Sequence, residues 1–412
     1  MDVNVDFLAA ETWDEAMPER LRWLQANDPV HWSPVNELWV VSKYADVSYV
    51  SKNNRLFCSG HGVRPGSTVK IGLIDEDEPR HTKLRGLINK GFTPRMVGKL
   101  EGPFRQIVTE TIDKVAAEGT CDFVDDIAVP IPLLLIAEMI GIRKEDRQRF
   151  HHWSDALIAA DGNLNDPAVM AGATSAFIEY STYLREIIED RRQSPRDDLV
   201  SILVGAKDAG EITDFENVLP MAVSDEHQRL ANDELIMFLV VLLVAGNETT
   251  RNAISGGMQL LIEHPEQRRK LLARPELLGS AVEEMLRLVS PVRTFGRTAT
   301  QNTELRGKRI KEGQTVLMVY SSANRDPDEF PNPDVFDIER NPDHLAFGIG
   351  NHFCLGANLA RMEMRVTFEA LLRRVPDMEF SGSGAVLKPS ALVRACVSMP
   401  VRFTPEGAGS SQ

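Results

Sequence analysis

The four cysteines, Cys58, Cys121, Cys354 and Cys396, form no CxxC pair and no His/Cys cluster. The chain therefore lacks the ligand set of a zinc site or of a ferredoxin-type cluster. It also lacks a membrane-length apolar run, because the longest, Leu235 to Gly246, is about twelve residues against the ~20 that span a bilayer. Basic excess is missing too: 46 Lys and Arg face 60 Asp and Glu, for a net charge of −14. That balance opposes binding to phosphate backbones or anionic lipid, both of which need basic clusters. The opening stretch MDVNVDFLAAETWDEAMPERL has acids where a signal peptide has a basic start and an apolar core. The expectation is a cytoplasmic protein with no nucleic-acid partner and no membrane anchor.

What is present is a chain of 412 residues, 43% hydrophobic, whose apolar segments never pause at a clear linker. It reads as one large domain over 1–406 with a disordered tail at 407–412, mostly α with a small β part. VHWSPVNELWVVS, from Val30 to Ser42, alternates around a Pro/Asn turn and predicts a hairpin. Helical periodicity predicts helices at Tyr44–Ser51, Thr82–Lys90, Lys99–Glu118, Leu133–Ile140, Ala176–Arg192, Asp233–Glu263 and Pro275–Val289. The helix at Asp233–Glu263, capped by Asn232 or Asp233 and stopped at His264-Pro265, is apolar on every side of LIMFLVVLLVAG. It should run through the middle of the domain. After Pro291 come short strands, and then RDPDEFPNPDVFDIERNPD, too rich in proline for helix or central strand, predicts an ordered meander.

The stretch HLAFGIGNHFCLGANLAR, His344 to Arg361, raises the question of function. Leu355, Leu359, Met362 and Val366 recur at helical spacing, which puts Cys354 where a helix begins. Unpaired N–H groups at that end favour a thiolate, so the sulfur is poised as an anionic ligand. Gly348, Gly350 and Gly356 permit tight bends and the close approach of something flat or bulky. A dinucleotide loop fails on Phe353, which stands where GxGxxG needs its last glycine. A nucleophilic cysteine with His352 as its base stays open, as does a buried structural cysteine, although the latter leaves the three glycines unexplained.

FGIGNHFCLG resembles the haem-binding signature of the cytochrome P-450 monooxygenases, FGxGxHxCxG, with Phe347, Gly348, Gly350, His352, Cys354 and Gly356 at its fixed positions. The resemblance implies the cytochrome P-450 fold, with the long helix over a haem b whose axial ligand is the Cys354 thiolate, a ligand that favours O–O cleavage. AGNETT, Ala245 to Thr250, resembles the family's oxygen-activation motif. It implies that Ala245 and Gly246 border the haem, that Gly246 opens a groove for dioxygen, that Thr249 donates a hydrogen bond to it, and that Glu248 relays protons. Glu284 and Arg287 match ExxR and Arg340 its third member, a structural network supporting the meander, although spacing alone allows Glu283–Arg287 equally. His81 and Arg85, Arg297 and His352 match the positions that hold the haem propionates.

Family topology further implies a hydrophobic pocket that includes Ile71, Leu73, Val241, Val244, Val292, Phe295 and Val393. The activity implied is O2-dependent insertion of one oxygen atom into a C–H bond of a hydrophobic small molecule, a steroid, sterol or terpenoid, by a monomer. Electrons would come from a ferredoxin and its reductase, docking near Arg80, Lys83, Arg361 or Arg365. A fatty-acid hydroxylase, a peroxide-driven peroxygenase and a non-catalytic haem sensor are the alternatives.

Overall fold

The computed structural model describes residues 2–67, 70, 72–159, 166–208 and 226–407. The chain divides into two compact units, Met1–Lys70 with Glu101–Ile131 and Thr249–Gln412 in one, Ile71–Leu100 with Pro132–Glu248 in the other. The architecture is mostly helical with small sheets, as expected.

In the first unit the expected hairpin forms from Val30–Ser33 and Leu38–Val41, with Trp32 opposite Trp39 and their ring centroids 5.2 Å apart. Leu38–Val41 pairs in parallel with Thr315–Val319, which takes Thr294–Ala299 antiparallel on its other edge, and Phe57–Cys58 completes the five-stranded sheet. Alternation along Thr315–Val319 sends Val316 and Met318 into one core cluster and Leu317 and Val319 into another. A strand buried on both faces must be apolar throughout, which is why TVLMV shows no polar alternation.

The helix expected from Pro275 begins as a 3-10 turn, Pro275–Leu277, and becomes α over Leu278–Val289. Its C-cap, Ser290, is left-handed at φ 44, and the Ser290 N–H bonds back to the Leu286 carbonyl before Pro291 ends the helix. From 324 to 349 the chain forms neither helix nor strand.

In the second unit the helix Pro167–Gln193 starts where the Asp166 carboxylate accepts the Ala168 and Val169 N–H groups, with Pro167 at the first position. It packs on Arg147–Ala159 through Trp153, Tyr180 and Tyr183, and the Tyr183 hydroxyl donates to Asp146 at 2.9 Å. The long helix spans Glu226–Glu263, and the division between the units falls inside it, after Glu248. It therefore starts earlier than the cap at Asn232 or Asp233 suggested, since a side chain able to cap need not do so. Among the described residues five further α-helices, Met17–Asn27, Arg147–Ala159, Leu199–Asp208, Pro265–Ala273 and the one-turn Tyr320–Ala323, lie where no helix was expected. Among the described residues no helix is long and apolar enough to cross a membrane.

Candidate functional site

Cys354 lies two residues before Gly356, the N-cap of the helix Ala357–Arg374. Its backbone N–H donates to the Phe347 carbonyl at 2.9 Å, closing the loop on itself, and Phe353 N–H does the same to Gly350 at 3.0 Å. Gly348 and Gly350 have φ of 65° and 79°, so both need glycine. At Gly350 a Cβ would also stand 2.8 Å from the Ser51 carbonyl oxygen, at the end of the helix Tyr44–Lys52. Gly356 differs from the expectation: its φ is an ordinary −85°, and no chain atom lies within 4 Å of where its Cβ would be. Its small size leaves open space beside the cysteine instead of permitting a bend.

The thiol itself is exposed, Phe353 beside it is 37% exposed, and Phe347 and Leu355 are half-buried. Burial pushes the Cys121 thiol up to about 12 and raises that of Cys396, so neither offers a ready thiolate. His352 Nε2 lies 3.1 Å from Ser59 Oγ. Arg297 is 4% exposed, donates to the Gly296 carbonyl at 2.8 Å, and has no ion pair among the described residues. A buried guanidinium with no carboxylate asks for one from outside the chain.

Beneath the loop, the choice between Glu283 and Glu284 is made by packing. Glu284 and Arg287, both wholly buried, form a bidentate pair at 2.7 and 2.8 Å, and Arg340 Nε adds a third contact to Glu284 at 3.1 Å. Arg287 also donates to the carbonyls of Asn324 and Pro333 at 2.8 and 2.7 Å. Asn324 Oδ1 in turn accepts the Leu345 N–H at 2.7 Å, and the Leu345 carbonyl accepts the Gly348 N–H. Three hydrogen bonds thus connect the buried ion pair to the backbone of the cysteine loop.

Glu283 makes a second anchor that sequence reasoning missed. It accepts two hydrogen bonds from Arg361, both 2.8 Å, and lies 3.1 Å from His344 Nε2. Arg361 stacks over the Phe347 ring at 4.6 Å, so this anchor clamps the loop from its other side. Burial alone would raise the Glu283 carboxyl, but hydrogen bonds from His344 and Arg361 outweigh it and hold the group at about 2. A carboxyl depressed from 4.5 to about 2 contributes stability above pH 4.5 and loses it as pH falls towards 2. Glu283→Gln should therefore show a flatter loss of thermal midpoint between pH 5 and pH 3 than the wild type; parallel acid limbs in scanning calorimetry would contradict this.

In the second unit, His81 is buried on the helix Arg80–Asn89, one turn before the half-buried Arg85. Burial lowers the His81 pKa against the opposing pull of Glu78, so His81 suits a neutral hydrogen-bond donor better than a cation. Leu73 is half-buried in the turn Gly72–Asp75, whereas Ile71 lies outside the described residues. Along the long helix Leu239 and Leu243 are fully buried, yet Val241 and Val244 are only half-buried and Ala245 is exposed. With the half-buried Thr249 these residues form a stripe that is less buried than Leu239 and Leu243. Glu248 is 7% exposed. At Gly246 a Cβ would come within 3.0 Å of Ile136 Cδ1, so packing here also requires a small residue. In the first unit Val292 and Val393 form an antiparallel bridge, and with Phe295 they are half-buried. Of the four basic side chains expected at a docking face, three are engaged within the chain: Arg80 by Glu76 and Glu234, Arg361 by Glu283, and Arg365 by Glu101.

An exposed cysteine beside Phe353, open space next to it, and a buried guanidinium with no ion pair among the described residues fit a flat apolar group with a thiolate-binding metal and a carboxylate edge. Comparison with known proteins agrees. The model of the family Cytochrome P-450 matches residues 168–273 and 270–376. Steroid C26-monooxygenase of Mycolicibacterium smegmatis is 37% identical over 394 residues, 95% of this chain and 94% of that protein. Among solved structures, CYP109E1 of Bacillus megaterium in complex with testosterone superposes with a TM-score of 0.81 at 32% identity, over 94% of this chain and 99% of that one. CYP268A2 of Mycobacterium marinum in complex with pseudoionone reaches 0.85 at 34% identity, over 98% of this chain and 99% of that one. With the cysteine loop, its buried anchors and relatives that match nearly end to end, the chain belongs to the cytochrome P-450 family and is a P-450 monooxygenase.

Proposed function

We propose that this monooxygenase hydroxylates a steroid or a similarly sized terpenoid, with Cys354 as the thiolate ligand of a haem and electrons delivered by a ferredoxin and its reductase. The observation that carries the ligand assignment is the exposed Cys354 thiol, held by backbone hydrogen bonds between two ion-pair anchors. Phe347, Gly348, Gly356, Ala245 and Gly246 would contact the haem. Arg297, His352, Arg85 and His81 would hold its propionates, the arginines as cations and His81 as a neutral donor. Bound there, haem supplies O2 activation, in which two electrons and two protons accompany transfer of one oxygen atom to a C–H bond and release of the other as water.

The chain's own part is to orient the substrate, exclude water and move protons. Glu248 takes up protons from solvent and Thr249 hands them on through its hydroxyl, a relay of acid and alcohol at adjacent positions. Thr249→Ala should leave electron consumption running while product falls several-fold and peroxide appears. Unchanged product per electron would remove Thr249 from the relay.

Support for a steroid comes from the names of the relatives, steroid C26-monooxygenase and a testosterone complex, and from the half-buried apolar side chains of Val241, Val244, Val292, Phe295 and Val393. Titrating the purified protein with testosterone, a C27 sterol, a linear terpenoid and palmitate, and following the spin-state shift in absorption, tests this. A shift with palmitate alone would overturn the proposal in favour of a fatty-acid hydroxylase.

A further inference from the structure

A cavity of about 140 Å³ lies in the first unit, lined by Trp13, Met17 and Leu21 of the N-terminal segment and by Arg293, Arg325 and Arg394. It contains no residue of the cysteine loop. Arg22 also lines it, and four arginines on one small cavity are an anomaly in a chain with net charge −14. Arg325 is compensated, donating to Asp334 at 2.8 Å and to the Leu288 carbonyl at 3.1 Å, and Arg22 lies 3.7 Å from the same Asp334. Arg293 and Arg394 are not. Arg293 donates to the Ser390 carbonyl at 2.8 Å and stands 5.5 Å over the Trp13 ring, and Arg394 donates to Gln259; neither forms an ion pair among the described residues. Burial, and then the neighbouring Arg394, pull the Arg293 pKa down to about 10, the sign of a cation held against desolvation and like charge.

The lining also includes the apolar side chains of Trp13, Met17, Leu21 and Val289. A cavity near 150 Å³ holds a molecule of about benzene size.

We propose that this cavity is a second ligand site, separate from the oxidation site, for a small organic oxyanion: a carboxylate or phosphate head on Arg293 and Arg394, with an apolar body against Met17 and Leu21. Asp14, also on the lining, is turned to Arg20 at 3.1 Å and does not compete for the guanidiniums.

Calorimetric titration of the full-length protein with benzoate, inorganic phosphate and benzyl alcohol separates head from body, and the visible spectrum recorded in parallel reports any binding at the haem. Benzoate should bind more tightly than either of the others, without a spectral change, and at least tenfold more weakly to Arg293→Gln. Should Arg293→Gln fail to fold, Met17→Trp, which fills the cavity from the apolar side, should abolish benzoate binding instead. Binding of equal strength to wild type and variant, or benzoate heat accompanied by a spectral shift, would overturn the site. Phosphate binding as tightly as benzoate would overturn the apolar half of it.

Discussion

Cys354→His is expected to reduce monooxygenase turnover by roughly a thousandfold or more, about 4 kcal/mol of transition-state stabilisation. The same change should remove the strongly red-shifted absorption band that a thiolate-ligated haem gives with carbon monoxide after reduction. An imidazole can still bind iron, so the variant should retain haem, but it lacks the thiolate's electron donation. No other thiol can substitute: Cys58 and Cys396 are buried, and Cys121 is held protonated by burial. Persistence of the red-shifted band in Cys354→His would show that the ligand lies elsewhere. The backbone bonds of the loop, Cys354 N–H to Phe347 and Gly348 N–H to Leu345, do not involve the thiol, so the fold should survive the substitution.

Arg287→Leu is expected to be more damaging to the protein as a whole. It leaves the Glu284 carboxylate buried opposite an apolar side chain, a loss of about 3–5 kcal/mol when one partner of a buried pair is removed. The carbonyls of Asn324 and Pro333 lose their donor at the same time. Set against a total stability of about 5–15 kcal/mol, the variant should be unfolded, or folded without haem, at ordinary temperature. Arg340→Ala should cost far less, about 1–2 kcal/mol, because Glu284 keeps its bidentate partner and Arg340 is the more exposed member. Urea midpoints and haem content per chain measure both. Equal midpoints for wild type and Arg287→Leu would refute the network's role.

Much of the fold was legible because its signals are local. The hairpin at Val30–Val41 shows its alternation and its turn, and the long helix shows an apolar run ended by His264-Pro265. Pro265 marks a boundary from both sides: the long helix ends before it, and it sits in the first turn of the next helix, where its missing N–H costs nothing. The side from which each helix is covered was not legible. The apolar text around Val241 to Ala245 looks the same on every side, and only the structure separates the less buried stripe from Leu239 and Leu243.

Among the site residues, the cysteine loop was legible because tight turns demand glycine at fixed places. The partner of Arg287 was not, since Glu283 and Glu284 are both within reach along one helix and the decision rests on Asn324, Arg340 and Arg361, all distant in sequence. Arg361 read as a surface cation for the same reason, and the anchor it forms with Glu283 and His344 carries no local signature.

The two adjacent acids on the helix Leu278–Val289 work as a ruler. Neighbouring positions on an α-helix point about 100° apart, so Glu283 and Glu284 engage different stretches of chain, one at His344 and Arg361, the other at Arg287 and Arg340. One residue inserted into this helix between Glu283 and Arg287 would turn the arginine away from its acid. One inserted between Arg340 and Arg361 would have to be absorbed within a span pinned at both ends. Length changes should therefore be tolerated at turns outside this span, such as the one between the short strands Thr303–Leu305 and Lys308–Ile310, and a scan of single-residue insertions would draw the outline of the clamp as a gap in the surviving variants.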